Sequence, residues 1–289
     1  MELGEFTVVG AYSYNQASPL QWIVSHLRRY KIYIISFVIG TIMYNVLTSA
    51  ISLVVGNAFN QIVSVQQRLA ALLTSTLVIL GIVLARGLIG LLATFTIELL
   101  AEYFERDARD ELYRGLLNKS QSFHNRQRIG DIMALATNDI RQLNLMINPG
   151  VDLIFDALAN LIIPLIFIGI IRLDLLLVPL LFVIVFVLSL LDFSRRIGPV
   201  YMQLRKQFGQ MNAILTETIN GIEIVQAAAQ EGQEFDKFEQ QAQHYRALFI
   251  RNGKIQGLYL PPLLLSLAVV GSFIHGVWLY VHGGISLGG

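Results

Sequence analysis

The 289-residue sequence contains no cysteine and few charged residues, and these two absences narrow the range of possible functions. Without cysteine there is no disulfide framework, no thiolate metal site and no cysteine nucleophile. Charged residues make up only 14% of the chain, against about 25% in soluble domains, whereas hydrophobic residues make up 54%. The net charge of +1 offers no sign of nucleic-acid binding. The composition therefore favours a membrane protein over a soluble enzyme.

Five apolar runs come close to the roughly 20 residues that a helix needs to cross the hydrocarbon core of a bilayer. Each run must be helical, because an isolated segment in lipid has to satisfy its own backbone hydrogen bonds. The sequence therefore predicts an all-α, multi-pass integral membrane protein. The expected spans are about 32–55, 69–97, 151–171, 175–191 and 255–281.

The basic residues predict the orientation, because Lys and Arg are retained on the cytoplasmic side of a membrane. Eighteen of the 21 lie before the first span, between the second and third, or between the fourth and fifth. Arg68 and Arg172 lie in short outer loops, and Arg86 lies inside a span. We therefore expect a cytoplasmic amino terminus and an extracytoplasmic carboxyl end, with the chain in the cell or plasma membrane.

The segment before the first span divides into a flexible cytoplasmic tail (1–17) and an amphipathic helix (18–30). Ser18 is suited to the N-cap, Pro19 to the first helical position and Gln21 to the third. Leu20, Ile23, Val24 and Leu27 share one face, as expected of a helix lying on the cytoplasmic membrane surface. The alternative is a cytoplasmic extension of the first span. Residues 31–289 then form the transmembrane domain.

The two cytoplasmic loops, 98–150 and 192–254, are long and helical in pattern. Opposite charges four residues apart and a nearly helical apolar stripe, broken at Arg106 to Arg109, continue the second span into the cytoplasm. Residues 201–219 and 233–250 show the same character. Each loop therefore consists of a descending helix, a short tip and a returning helix, with tips near 119–131 and 221–232.

Within these loops, two segments resemble the intracellular loops of ABC exporters. Residues 111–143 read ELYRGLLNKSQSFHNRQRIGDIMALATNDIRQL, with a Ser-Phe tip, a Gly-Asp turn and a helix closing on Asn138 and Asp139. Residues 215–240 read LTETINGIEIVQAAAQEGQEFDKFEQ, which is similar to the second such loop. The resemblance extends from Ser18 onward. It implies the transmembrane domain of an ABC exporter of the multidrug or lipid type.

The resemblance implies that the two tips are coupling helices that dock into grooves on cytosolic nucleotide-binding domains. Phe123 and Val225 are expected to pack into apolar parts of those grooves. The first coupling helix comprises Ser122, Phe123, His124 and Asn125, and the second comprises Gly221, Ile222, Glu223, Ile224 and Val225. The sequence departs from the family at His124 and Asn125, where members often carry a second aromatic residue and an Asp.

The resemblance also implies a sixth span and an ATPase domain, neither of which is present in these 289 residues. Gly253 and Lys254 are followed by Ile255, and Leu248 occupies the first glycine position of GxxxxGK[ST], so no phosphate-binding loop is formed. We expect a fragment truncated before the sixth span, or else a sixth span and ATPase on another chain. ATP and Mg²⁺ are then implied in the missing or partner domain, and we expect no catalytic residue and no bound cofactor in this chain. A second transmembrane subunit, identical or different, is implied as well.

Four ionisable residues in or beside the spans are candidates for a substrate pathway or an intramembrane ion pair: Arg86, Asp156, Asp192 and His275. An Arg within a span is costly unless it is paired, hydrated or reaches the headgroups. Arg86 and Asp192 are expected at similar depth in the inner leaflet. The alternatives are a structural ion pair or snorkelling for Arg86, and a hydrogen bond to a neighbouring helix for His275. No metal site is expected.

These patterns favour a force-transmitting transmembrane domain of an ATP-driven exporter, which moves a small or lipophilic substrate by alternating access. Two alternatives belong to other classes. One is a secondary transporter or channel whose long loops bind a regulator, and the other is a membrane scaffold that transports nothing. A reading frame that continues into a sixth span and GxxxxGK[ST] would distinguish the first interpretation from the others.

Overall fold

The computed structural model describes residues 14–64, 68–259 and 261–286, and every regular element in these ranges is helical. They include two π-helical segments, Leu135–Asp139 and Met146–Val151, and a 3-10 turn, Leu173–Leu176. The helices are α1 (Pro19–Arg29), α2 (Lys31–Ser64), α3 (Arg68–Leu117), α4 (Gln121–Arg126), α5 (Ile129–Ala134), α6 (Ile140–Leu145), α7 (Asp152–Ile171), α8 (Leu177–Asn220), α9 (Ile222–Ala227), α10 (Glu231–Gly257) and α11 (Pro261–Val281).

Within the described ranges, five helical stretches are long and apolar enough to cross a membrane, which confirms the predicted all-α membrane fold. The first four predicted spans lie in α2, α3, α7 and α8. The fifth was expected from residue 255, but α10 ends at Gly257 and a new helix begins at Pro261. Proline lacks an N–H and disfavours the helical conformation of the residue before it, so consecutive prolines suit a first helical turn better than a helix interior.

α1 is a helix of its own, and its predicted start is confirmed. The Ser18 hydroxyl accepts a hydrogen bond from the Gln21 N–H at 3.2 Å, with Pro19 in the first turn. Tyr30 leaves the helical conformation, so α1 ends before α2 begins and is no extension of the first span. Its two apolar edges differ, because Leu20 and Val24 are exposed whereas Ile23 and Leu27 pack against the core.

α3 and α8 are far longer than a crossing of the bilayer requires. α3 has 50 residues and α8 has 44, which correspond to about 75 Å and about 66 Å at 1.5 Å per residue. The hydrocarbon core is only about 30 Å thick. The predicted continuation of the second span as a helix is therefore confirmed, and the α8 arm reaches Asn220 without a break.

The described residues form two compact units, of which the first contains residues 14–172 together with 283–286. Its core lies where α1, α2, α3 and the helical stretch around Ile147 meet. Gly40 lets α2 approach α3 closely there, since a Cβ at this position would lie 2.9 Å from Cβ of Ala93 in α3. The buried core residues are Phe37, Ile97, Leu100, Ala101, Phe104 and Ile147.

The second unit, Leu173–His282, is built from α8 packed along α10 and α11. Its buried apolar residues are Ile197, Val200 and Leu204 of α8 and Leu279 of α11. Farther along, the Gln207 side-chain amide donates to Oε1 of Gln241 at 2.7 Å. Polar contacts of this kind hold the hairpin together where apolar side chains are sparse.

Candidate functional site

The first tip is a six-residue helix, α4, between the end of α3 and the start of α5. Ser120 precedes it in an extended conformation, and its hydroxyl lies 2.9 Å from that of Ser122. Nε2 of His124 lies 3.1 Å from the Leu116 carbonyl oxygen at the end of α3. The hydrogen bond from His124 therefore fixes the short helix to the arm that carries it.

Side chains of α4 differ in what they present to solvent. Ser122 and Asn125 are exposed, whereas Phe123 and His124 are half-buried. The Phe123 ring lies 5.6 Å from His124 and beneath the Lys119 ammonium, also at 5.6 Å. Phe123 thus packs within its own chain, and the outer surface of this tip is polar.

A cavity of about 750 Å³ lies behind the first tip, between α3 and the helices that return from it. Its apolar wall includes Leu112, Leu116, Phe123, Ile132 and Leu135. Acidic side chains at its rim come from both arms of the hairpin. The space behind the tip is therefore lined by side chains of α3 and of the helices that return from the tip.

The second tip is α9, which follows α8 after the single residue Gly221. The Gly221 N–H donates to the Glu217 carbonyl at 2.9 Å, and a Cβ at Gly221 would lie 3.3 Å from that same oxygen. α9 ends at Ala227, after which Ala229 adopts a positive φ of 51°. Two tight turns therefore enclose this short helix.

The outer surface of α9 is more apolar than that of α4. Ile224 is 75% exposed, and Ile222 and Glu223 are also exposed. Val225 and Gly221 are half-buried. The isoleucines, rather than Val225, are the apolar side chains that this tip presents outward.

Polar contacts hold the arms of the second hairpin together just behind α9. The Thr218 hydroxyl donates to Oε2 of Glu234 at 2.9 Å, and Nζ of Lys237 lies 3.6 Å from the other Glu234 oxygen. Lys237 also lies 4.0 Å from Glu217. These contacts join α8 to α10 and give the tip a defined base.

Of the four intramembrane candidates, two lie in the first unit. The Arg86 guanidinium lies over the Tyr44 ring, 5.2 Å from its centroid, and forms no ion pair among the described residues. Asp156 accepts a hydrogen bond from the Asn45 side-chain amide at 3.3 Å. The structure therefore gives each of these residues a polar or aromatic partner on α2.

The other two candidates lie in the second unit, and the structure does not bring them together. Asp192 pairs with Arg196 one turn along α8, at 2.9 Å. His275 is half-buried, and its Nδ1 has no hydrogen-bond partner among the described residues. Its ring stacks with Trp278 at 6.3 Å.

A polar cluster at the joint between α1 and α3 was missed by the sequence analysis. The Asp107 carboxylate is 7% exposed and accepts hydrogen bonds from the Tyr30 hydroxyl at 2.7 Å and from Arg29 at 3.1 Å. Arg106 contacts its other oxygen at 2.9 Å. The break in the apolar stripe of α3 at this point was the only local signal of such a cluster.

The ionisation of this cluster, which lies outside the apolar spans, follows its geometry. Burial acts to raise the pKa of the Asp107 carboxyl, but hydrogen bonds from Tyr30 and Arg106 and the nearby charge of Arg29 outweigh burial, and the pKa lies below its usual value. Burial, together with the hydrogen bond to Asp107, raises the pKa of Tyr30 to about 12. The pair therefore remains a carboxylate and a neutral phenol at neutral pH.

His26 of α1 also lies at this joint between α1 and α3, and it is fully buried. Its ring stacks on Tyr14 at 3.4 Å, and its Nδ1 lies 3.0 Å from the Trp22 carbonyl oxygen. Its Nε2 lies 3.2 Å from a Glu111 carboxylate oxygen, although off the line of a hydrogen bond. The Trp22 indole N–H donates to the same carboxylate oxygen at 2.9 Å. α1 is thus fixed to the cytoplasmic part of α3.

Comparison with known proteins agrees with this architecture. The sequence matches the model of the ABC transporter transmembrane region over residues 32–289. It is 26% identical over 155 residues to the uncharacterized ABC transporter ATP-binding protein YknU of Bacillus subtilis (strain 168), covering 53% of this chain and 26% of that protein. Another relative from the same organism is the probable multidrug resistance ABC transporter ATP-binding/permease protein YheI, which is 22% identical over 191 residues, 65% of this chain and 33% of that protein.

A third relative is the ATP-dependent lipid A-core flippase of Pseudoalteromonas translucida (strain TAC 125), 21% identical over 171 residues, which are 58% of this chain and 29% of the flippase. The matches thus span between 26% and 33% of the length of these three relatives. The resemblance drawn from residues 111–143 and 215–240 is confirmed. The chain belongs to the family of ABC transporter transmembrane regions.

Proposed function

We propose that this chain is the transmembrane half of an ATP-driven exporter and is coupled through α4 and α9 to a cytosolic nucleotide-binding domain. That domain binds ATP and Mg²⁺, on the same polypeptide or on another. Two transmembrane subunits, identical or different, enclose a pathway for a small or lipophilic substrate. The observation that carries the proposal is the pair of short tip helices at the far ends of long continuous arms.

The arms support the proposal because they suit the transmission of movement. α3 and α8 run unbroken from the apolar spans to the tips, and both tips are fixed to their arms by hydrogen bonds. Displacement of a tip is therefore expected to move a whole helix. The excess of Lys and Arg in the two long loops supports a cytoplasmic location for both tips.

The surface chemistry supports docking at α9 in particular. Burying an exposed isoleucine side chain contributes about 1.5–3 kcal/mol, and Ile224 is 75% exposed at the end of an otherwise polar hairpin. α4 offers hydrogen-bonding groups through Ser122 and Asn125 instead. We therefore expect α9 to provide the main apolar contact with the nucleotide-binding domain and α4 a polar one.

The experiment introduces a charge at this contact in the complete transporter, containing this chain and its nucleotide-binding domain. Ile224→Asp should abolish ATP-dependent changes in the transmembrane region, because a carboxylate cannot be buried in an apolar groove without a partner. The readout is the ATP-dependent reactivity of a reporter cysteine in α11, measured in lipid nanodiscs.

The matched control is Gln226→Asp, which places the same charge at an exposed polar position of α9. This variant should retain the ATP-dependent change. If Ile224→Asp also retains it, with both proteins inserted normally, the coupling role of α9 is refuted. If both variants lose the response, the loss reflects charge near the tip rather than apolar docking.

A further inference from the structure

The second unit carries a cluster of charges where two neighbouring helices pass from an apolar to a polar sequence. The apolar run of α8 ends at Leu191 and is followed at once by Asp192. Along α10, Lys254 is the last charged residue before the apolar run of α11. The Phe193 and Tyr259 rings, 4.5 Å apart, join these two boundaries at the same level. Aromatic side chains commonly mark the headgroup level of a membrane protein.

A cavity of about 270 Å³ lies at this boundary, between α8 and the end of α10. Three cationic side chains line it, Arg196, Arg251 and Lys254, together with Asp192 and the Ser189 hydroxyl. Its volume is below the roughly 300–1,000 Å³ of pockets that enclose a whole drug-sized ligand. The space is suited to a compact polar group rather than to a complete lipid.

The charges lining the cavity do not balance. Arg196 is paired with Asp192 at 2.9 Å. Arg251 and Lys254 form no ion pair within the described part of the chain, and they lie three residues apart on one face of α10. Like charges at this spacing repel each other, and an anion between them would relieve the repulsion. The cavity therefore has an excess of two positive charges.

We propose that this cavity binds the headgroup of an anionic phospholipid, drawn from the leaflet next to it. A phosphodiester supplies the missing negative charge, and basic pockets between membrane helices are known to select such headgroups. Exposed apolar side chains flank the site, with Leu188 62% and Leu258 76% exposed, so the acyl chains lie along the outer surface of the helices. The site lies apart in sequence from α4 and α9 and does not depend on the coupling role proposed for them.

The test compares short-chain phosphatidylglycerol, short-chain phosphatidylcholine and inorganic phosphate as ligands of the purified chain in neutral detergent. Native mass spectrometry counts the lipids that remain bound at each concentration. The wild-type chain should bind phosphatidylglycerol more tightly than phosphatidylcholine. Removing both free cations with Arg251→Gln and Lys254→Gln should raise the Kd for phosphatidylglycerol about 25-fold, a factor of about five for each cation near an anionic group.

The control variant carries Arg205→Gln and Lys206→Gln, which remove the same charge from an exposed part of α8 outside the cavity. Its affinity for phosphatidylglycerol should equal that of the wild type. Arg251→Lys with Lys254→Arg keeps the charge and should retain tight binding, which separates charge recognition from a folding defect.

Three results would overturn the proposal. Unchanged binding of phosphatidylglycerol by the doubly neutralised variant would exclude the cavity as the site. Equal affinity for phosphatidylcholine would show that the negative charge is not recognised. Displacement of phosphatidylglycerol by inorganic phosphate at equal concentration would identify a site for small anions rather than for a membrane lipid.

Discussion

Asp107→Asn tests whether the polar joint between α1 and α3 stabilises the first unit. The substitution removes a charge that is 7% exposed while nearly preserving the shape of the side chain. Hydrogen bonds to charged groups contribute about 1.5–3 kcal/mol each, and breaking a buried ion pair costs about 3–5 kcal/mol. The side chains of Arg29 and Arg106 are 44% and 60% exposed and can be rehydrated. Discounting for solvent screening, we expect a loss of about 2 kcal/mol.

The assay is thermal unfolding of the purified chain in detergent, followed by circular dichroism at a fixed heating rate. A loss of about 2 kcal/mol should lower the melting midpoint by roughly 4–8 °C in a unit of this size. The matched control is Asp110→Asn, in the next turn of α3, where the carboxylate is 57% exposed and pairs with Arg114. That pair should contribute less than about 1 kcal/mol.

The comparison between the two variants decides the outcome. Equal midpoints for Asp107→Asn and Asp110→Asn would refute the argument, because a buried cluster and an exposed pair would then contribute the same. A midpoint for Asp107→Asn that equals the wild-type value would mean that the joint does not stabilise the fold at all.

Two further predictions concern the same unit. Gly40→Ala should lower the melting midpoint, because the added methyl would lie 2.9 Å from Cβ of Ala93. The control, Gly87→Ala, has open space around it and should leave the midpoint unchanged or raise it. Equal midpoints for the two variants would contradict the packing argument. Tyr30→Phe should flatten the alkaline part of the stability profile. The pKa of Tyr30 is raised from 10.0 to about 12, so the stability tied to the protonated phenol is complete below pH 10 and is lost as the pH rises through 12. Melting midpoints measured across this window should converge for the two proteins, and parallel curves would be the contrary result.

Much of the fold could be predicted because the relevant signals are local. Apolar runs of sufficient length identify the first four spans, and Ser18 with Pro19 identifies the start of α1. The predicted tips, near 119–131 and 221–232, begin within two residues of the ends of α3 and α8. In each case the deciding chemistry lies within a few residues of the element it determines.

The remainder depends on contacts between distant residues. Asp107 accepts a hydrogen bond from Tyr30, which lies 77 positions away in the sequence, and the sequence around neither residue indicates this contact. The inward packing of Phe123 likewise depends on the returning helices, and an exposed docking residue looks the same in sequence as a packed one. The late start of α11 is a different case. The two prolines at 261 and 262 were a local signal for the start of a helix, but the expected start at residue 255 followed the length of the apolar run instead.

Docking of α9 on a nucleotide-binding domain can be measured by cysteine labelling, because these 289 residues contain no cysteine of their own. Single cysteines are introduced at Ile224 and, as a reference, at the exposed Gln243 of α10. Their rates of reaction with a water-soluble maleimide are measured with and without the nucleotide-binding domain. Docking of α9 should strongly protect position 224 when the domain is bound and should change the reaction at position 243 little. Equal reaction rates at position 224 with and without the domain would contradict this docking.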